Sequence, residues 1–500
     1  MGIKRDSIPW HPLEEPRISG ELSLPHLQSI FTDCVDFEER ELLVGGDPAK
    51  RAVMISISGM VRNERVNDYV LRPLFTNPKL RELSYDDAID WMAKGALYNM
   101  SVSLRSTMDE VVFDLIEGNV VLVFPHRREM LSLGVSTEEK RSISAPENEP
   151  AIKGARESFV ESIRTNTSMI RRKLRAPTLK IKEQIVGRQS LTPVDILYME
   201  GLTNPDLVKE AEARIQEIDI DALIETANLE EYMNDTVKTT FPLMAYTERP
   251  DRFCAGLVEG RVGIMVDGLP LGFLLPGTLG YFFKANEDKS KNWVEASFLR
   301  VLRYFCMLVA LFLPALYVAA VNFHHEMLPA TLAWSIVEAK IDVPFSTVFE
   351  VLILLIAFEI VQEAGLRLPP AIGTTVSILG GLVVGTAAVE AKIVSPAVLI
   401  AVAVSGIAGY TMPSQEFSGA LRMWRFALVI AASFAGLFGT LAVTVVLIYH
   451  VAALESFGVP FLTPFAAVGG DQIDGVLRRP VVWVKFRERA LKTKNRRNQK

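Results

Sequence analysis

Residues 304–323 read YFCMLVALFLPALYVAAVNF, twenty positions without one charge. A helix needs roughly 20 apolar residues to cross a hydrocarbon core about 30 Å thick. Further apolar segments follow to about residue 454, whereas nearly everything before residue 300 is polar, charged and patterned like a soluble domain. The reading that follows is an α/β N-terminal region on the cytoplasmic side, followed by a polytopic α-helical membrane domain. That division points to signalling, channel or transport work before soluble enzymology.

Five apolar segments can be drawn, 304–323, 346–366, 372–390, 393–413 and 426–454, inside a membrane domain spanning 296–456. The stretch ATLAWSIVEAK, 330–340, is too short and too polar to span, and reads as an interfacial or re-entrant helix with Trp334 at headgroup level. Arg300 and Arg303 hold the start of the first span inside, and Arg367, Arg422 and Arg425 suit inside loops after spans two and four. Five crossings would then put the tail outside. Yet residues 478–500 carry ten Lys/Arg against the single Glu488, which belongs on the cytoplasmic face beside anionic headgroups. An even number of crossings removes the conflict, if one segment is re-entrant or 330–340 crosses.

Before the membrane half, the sequence contains a duplication. AVMISISG, 52–59, is a strand, NERVNDYVLRPLF, 63–75, has helical spacing, and DEVVFDLIEGNVVLVF, 109–124, reads as helix, Glu-Gly turn and buried strand. VDILYMEG, 194–201, NPDLVKEAEARIQEI, 204–218, and FCAGLVEGRVGIMV, 253–266, repeat that order. Gly59 and Gly201 are 142 residues apart, and so are Gly118 and Gly260. Two similar α/β subdomains, 46–145 and 179–295, account for this, and a single mixed sheet is the alternative. Residues 1–45 form an irregular arm, 146–178 a charged connector helix, and 457–500 the basic tail.

In the connector, KGARESFVESIRTNTSMIRRKLR, 153–175, places Phe159, Ile163, Ile170 and Leu174 on one stripe. Arg164, Arg171 and Arg172 lie around it. They serve either a solvated connector or a basic surface for headgroups or an acidic partner. The pair Asp219 and Asp221 in IDIDALI, 218–224, reads as helix capping on an apolar strand or helix start rather than paired-acid catalysis.

Within the membrane half, charges carry more information than apolar residues. Glu350, Glu359 and Glu363 sit in or beside an apolar span, where a charge costs a few kcal/mol and so faces protein or water. Glu363 has Arg367 one turn on and reads as an interfacial ion pair. Glu359 lies deeper without such a basic partner, making it the first candidate for a pore or coupling residue, with a carboxylate hydrogen-bonded inside the bundle as the alternative. Glu350 is placed at the outer headgroup region and is the second candidate. Gly381 and Gly385 form a GxxxG motif, and Gly406 and Gly409 mark another close helix approach.

No GxxxxGK[ST], HExxH, GxSxG or Cys-His metal pattern occurs. Cofactor, metal and nucleic-acid roles are therefore not expected, and neither is catalysis. Cys34, Cys254 and Cys306 lack metal spacing and suit a reducing compartment. The opening MGIKRDSIPW has no apolar signal region, and Asp6 stands where a myristoylation motif wants Ser or Thr.

Several blocks together resemble a known family. GRQSLTPVDILYMEGLTNP (187–205), TERPDR (247–252), LVEGRVGIMVDG (257–268), FHHEMLP (323–329), FEIVQEAGLRLP (358–369), AAVEAKIVSPAVLI (387–400) and FGVPFLTP (457–464) are similar, in order, to the A subunits of GerA-type spore germinant receptors. The resemblance implies a protein of the spore inner membrane that assembles with a transporter-like B subunit and a C lipoprotein. It also implies a homo-oligomer in contact with membrane lipid that opens a nutrient-gated ion channel. A membrane-anchored scaffold, recruiting partners while another subunit conducts, is the competing function.

Overall fold

The computed structural model describes residues 18, 20–97, 101–135, 146, 149, 153–367, 385–466 and 475–498. Two five-stranded antiparallel sheets occupy the N-terminal half. The first holds β1 (Phe37–Leu43), β2 (Arg51–Ile57), β3 (Val102–Arg105), β4 (Val120–Val123) and β5 (Met130–Leu133) in the order β1-β2-β4-β5-β3. The second holds β6 (Leu179–Val186), β7 (Thr192–Met199), β8 (Ala245–Thr247), β9 (Val262–Val266) and β10 (Gly272–Leu275) in the order β6-β7-β9-β10-β8. The orders are the same. Strands beginning at 37, 120 and 130 recur at 179, 262 and 272, an offset of 142 each time.

The shared offset has a local cause at the turns. Gly118 and Gly260 have φ of 87° and 103°, a conformation that only glycine adopts without strain. Each ends a helix that packs on its sheet, α2 (Met108–Ile116) in the first unit and α5 (Pro250–Glu259) in the second. Two further helices correspond, α1 (Leu24–Ile30) against α2, and α3 (Ile163–Lys173) against α5. Helix α3 is thus the first helix of the second unit, not a free connector. Helical geometry starts only at Ile163, after the Ser162 cap; residues 153–162 are not helical, and Phe159 instead meets Phe253 edge-on at 5.6 Å.

In the second unit, α4 (Pro205–Gln216) is capped by the Asn204 side chain, which accepts from the Asp206 amide at 3.1 Å. Residues 218–224 form no strand or helix, and Asp219 pairs with Arg188 at 2.6 Å in solvent. The units meet where Val35 N–H donates to the Ile181 carbonyl at 2.9 Å and Ile181 N–H to the Asp33 carbonyl at 3.0 Å.

Among the described residues, five helices of ten or more residues fill the C-terminal half: α6 (Trp293–Asn322), α7 (Ala330–Lys340), α8 (Thr347–Arg367), α9 (Pro396–Gly409) and α10 (Gln415–Ala453). By length and composition, α6 and α10 can cross a membrane. Trp334 in α7 is 72% exposed. The near end of α6 adjoins the second sheet unit, where Phe283 stacks on Tyr304 at 4.1 Å and Asp288 receives Arg300 and Arg303 at 3.0 and 2.8 Å.

Helix α10 is not one rod. Ala435 and Gly436 leave helical geometry, with Gly436 at φ 57°. A Cβ on Gly436 would stand 2.8–3.0 Å from His324 and Phe323, which follow the far end of α6. Phe241 of the second sheet unit lies 5.7 Å from Phe417 and 6.2 Å from His450, near opposite ends of α10. The helix therefore runs out along α6, turns at Gly436 and returns. The apolar segment 426–454 contains that turn, so it is not a single span.

Residues after α10 return to the sheets. β11 (Glu455–Ser456) and β12 (Val459–Pro460) form a small ladder, and Ser456 donates to the Leu243 carbonyl at 2.7 Å. The basic tail docks there too: Arg487 donates to the Val258 carbonyl at 2.9 Å, Lys494 N–H to the Leu202 carbonyl at 3.0 Å, and Leu491 is buried. Both halves of the chain therefore meet at one end of the helical bundle.

Candidate functional site

Glu359 sits where four helices converge. Its two carboxylate oxygens accept from Arg422 and Arg425, each at 2.9 Å. Arg425 also donates to Ser405 Oγ at 3.2 Å, and Ser405 donates in turn to the Ala310 carbonyl at 2.8 Å. The chain of contacts runs α8, α10, α9, α6. Arg422 donates to Gln362 as well. The sequence expectation that Glu359 lacks a basic partner is corrected. Arg422 and Arg425 lie inside the outgoing limb of α10, not in a loop, and face Glu359 across the bundle.

The two arginines differ in solvation. The Arg425 side chain is 3% exposed and that of Arg422 is 35%. Arg425 Nε is buried without a hydrogen-bond partner among the described residues. A cavity of about 10 Å³ beside it is lined by Phe358, Gln362, Gly406, Gly409 and Ser418, on the scale of one water molecule. Two guanidinium groups on one carboxylate make a cationic cluster, so the arrangement holds helices together through charge and suits Glu359 poorly to meeting a bare cation. Arg422 and Arg425, three residues apart, lie on one helix face at the head of a long apolar run. That spacing was the available signal for a shared partner.

Glu350 is also corrected. It is fully buried, not at a headgroup surface. Its carboxylate accepts from the Ser395 amide at 2.8 Å and stands 3.5 Å from Lys340 Nζ. Lys392 pairs with Asp342 across the same end of the bundle. The Arg367 side chain lies outside the described residues, and so does any pair with Glu363.

Among the glycines, a Cβ on Gly406 would stand 2.5 Å from the Phe358 ring, so α8 and α9 touch through a position that admits no larger residue. Gly409 and Gly385 have only ordinary contacts at 3.5–4.0 Å, leaving room for a methyl group. Gly381 lies outside the described residues.

The arginines of α3 divide. Arg171 is fully buried and grips Asp36 of the first unit through two hydrogen bonds, at 2.7 and 2.8 Å. Arg164 pairs with Asp195 at 3.1 Å and with Glu183. Both serve internal ion pairs, so neither offers the basic surface that their sequence suggested; Arg172 is half-buried beside them. Among the described residues, no group of three His, Cys, Asp or Glu side chains is placed to hold a metal ion.

Comparison with known proteins identifies relatives of this chain. Residues 25–490 match the family model described as Bacillus/Clostridium GerA spore germination protein. The chain is 36% identical over 465 residues to Uncharacterized membrane protein YfkQ of Bacillus subtilis (strain 168), covering 93% of this chain and 90% of that protein. It is 35% identical over 444 residues to Spore germination protein KA of the same organism, covering 89% and 81%. A crystal structure of the N-terminal domain of the A subunit of the Bacillus megaterium spore germinant receptor GerK3 is similar at 28% identity and TM-score 0.39, covering 50% of this chain and 92% of that one. With the model matched from residue 25 to residue 490, this chain belongs to the GerA spore germination protein family.

Proposed function

We propose that this chain is the A subunit of a nutrient germinant receptor in the spore inner membrane. The sheet-bearing half and the docked tail face the cytoplasm, and the helical half assembles with further copies into a germinant-gated cation path. A transporter-like B subunit and a C lipoprotein complete the receptor. An even number of crossings is supported by the start of α6 and the end of α10, which both adjoin the second sheet unit. An even count puts the basic tail inside, as the positive-inside tendency wants.

The observation that carries this reading is the Glu359 clamp. It ties α8 to α10 by two charge-assisted bonds and reaches α9 and α6 through Arg425 and Ser405, so a relative shift among the four helices must break or remake a hydrogen bond of this chain. In this reading Glu359 couples helix positions to opening and does not line the pore. Cation release from spores carrying Glu359→Gln tests it: release becomes spontaneous or is abolished. Wild-type release kinetics in this variant, at normal receptor abundance, would sink the reading.

The scaffold reading is favoured by the same carboxylates. Glu359 is held by two arginines, and Glu350 by Lys340 and the Ser395 amide. Conductance of the purified chain alone in planar bilayers separates the two: a scaffold passes no current.

A further inference from the structure

The docked tail closes a cleft of about 670 Å³ against α5 and the segment leading into α6. Val258, Lys284 and Lys289 line it together with Phe486, Arg489 and Arg496 of the tail. The acids at the cleft are already engaged. Glu259 stands 3.8 Å from both Lys289 and Arg261, and Glu488 stands 3.7 Å from Arg261. Arg487 spends its donors on the carbonyls of Val258, Asn495 and Arg497. Lys284 and Lys289 both act on Glu259, whereas Arg489 and Arg496 form no ion pair with any described residue. The cleft therefore presents uncompensated guanidinium groups beside the apolar side chains of Val258, Val484 and Phe486. Guanidinium donors in that setting select phosphate.

The surroundings identify the source of the phosphate. Trp483 of the tail lies 6.4 Å from Trp293, the first residue of α6. Val481, Val482 and Trp483 are 64–70% exposed. Below Tyr304, the open face of α6 stays apolar through Phe298 and Val294, so the greasy surface of the crossing helix continues down to this tryptophan pair. Exposed tryptophan beside cations at the end of a crossing helix is the chemistry of a headgroup layer.

We infer that the cleft binds the phosphate of an anionic phospholipid on the leaflet facing the sheets, with Arg489 and Arg496 as its main donors. The inference rests on the membrane reading above. Its test uses the full chain in nanodiscs of phosphatidylcholine mixed with phosphatidylglycerol, with retained lipid counted by native mass spectrometry. The wild-type chain retains phosphatidylglycerol in preference to phosphatidylcholine. Arg489→Gln with Arg496→Gln weakens that retention by about 30-fold, from about 1 kcal/mol per cation. Lys492→Gln with Lys494→Gln removes the same charge outside the cleft and leaves retention unchanged. Equal loss in both double variants, equal retention of both lipids, or displacement by free glycerol phosphate overturns the lipid site. A chain that does not enter nanodiscs at all overturns the membrane reading instead.

Discussion

Trp424 and His450 lie with their rings 5.8 Å apart although 26 residues separate them within α10. A continuous helix would hold them about 39 Å apart, at about 1.5 Å per residue. The fold-back at Gly436 therefore has a direct chemical consequence. In a background with Cys34, Cys254 and Cys306 replaced by serine, a Trp424→Cys/His450→Cys pair is expected to cross-link under mild oxidation. A cysteine placed at Ser433 near the turn is expected to react with impermeant thiol reagent only from the side opposite the sheets. Gly436→Val forces a branched side chain into φ 57° and against His324, and should abolish the cross-link.

The first unit is locked to the second through Arg171 and Asp36, both buried and bidentate. Breaking such a pair leaves one buried charge unpaired, at a cost of roughly 3–5 kcal/mol. Asp36→Asn and Arg171→Ala should each lower the thermal midpoint of the purified chain by several degrees and open 33–35 and 179–181 to protease. Arg171→Lys should not rescue, because an ammonium cannot reproduce the two-pronged contact with Asp36 and the further bond to the Leu179 carbonyl at 2.9 Å.

What the sequence discloses and what it withholds separate along physical lines. The two sheet units are legible because strand alternation, Glu-Gly turns and glycines with positive φ are local properties that recur at one offset. The Phe159–Leu174 stripe misleads because helical spacing is necessary for a helix but does not say where it begins; Ser162 caps later than the stripe starts. The turn at Ala435 and Gly436 is hidden because a glycine in an apolar run reads equally well as a site of close helix packing, and Ser433 and Thr440 are too few to mark a break. The partners of Glu359 lie 63 and 66 residues away, and only the folded bundle brings them to it.

Within the clamp, the two arginines should not be equivalent. Arg425 is nearly inaccessible while Arg422 is about a third exposed. Losing Glu359 strands Arg425 as a buried cation, so Glu359→Gln should destabilise the chain by about 3 kcal/mol or more. Arg422→Gln removes a partly solvated partner and should cost about 1 kcal/mol or less. Adding Arg425→Met to Glu359→Gln should recover much of the loss, since it removes the buried cation that Glu359→Gln leaves unpaired. Thermal midpoints in one detergent for the three variants decide this, and equal losses from Glu359→Gln and Arg422→Gln would count against the asymmetry.

Asp195 links α3 to β7 and gives the fold a pH dependence of defined sign. The residue is fully buried, and among the described residues only one of its oxygens is hydrogen-bonded, to Arg164 at 3.1 Å. Burial pushes its carboxyl up to about 7 against the pull of Arg164, with Glu183 nearby adding to the rise. A carboxyl of raised pKa in the folded chain binds its proton more tightly there than in the unfolded one. Its contribution is therefore fully present below about pH 4 and is lost as pH rises through about 7. Asp195→Asn cannot titrate, so its stability relative to wild type should climb between pH 4 and pH 7 and level off above. Denaturant midpoints of the two chains across that range measure the difference, and a gap that narrows with rising pH would mean that the Arg164 pair, not burial, controls the carboxyl.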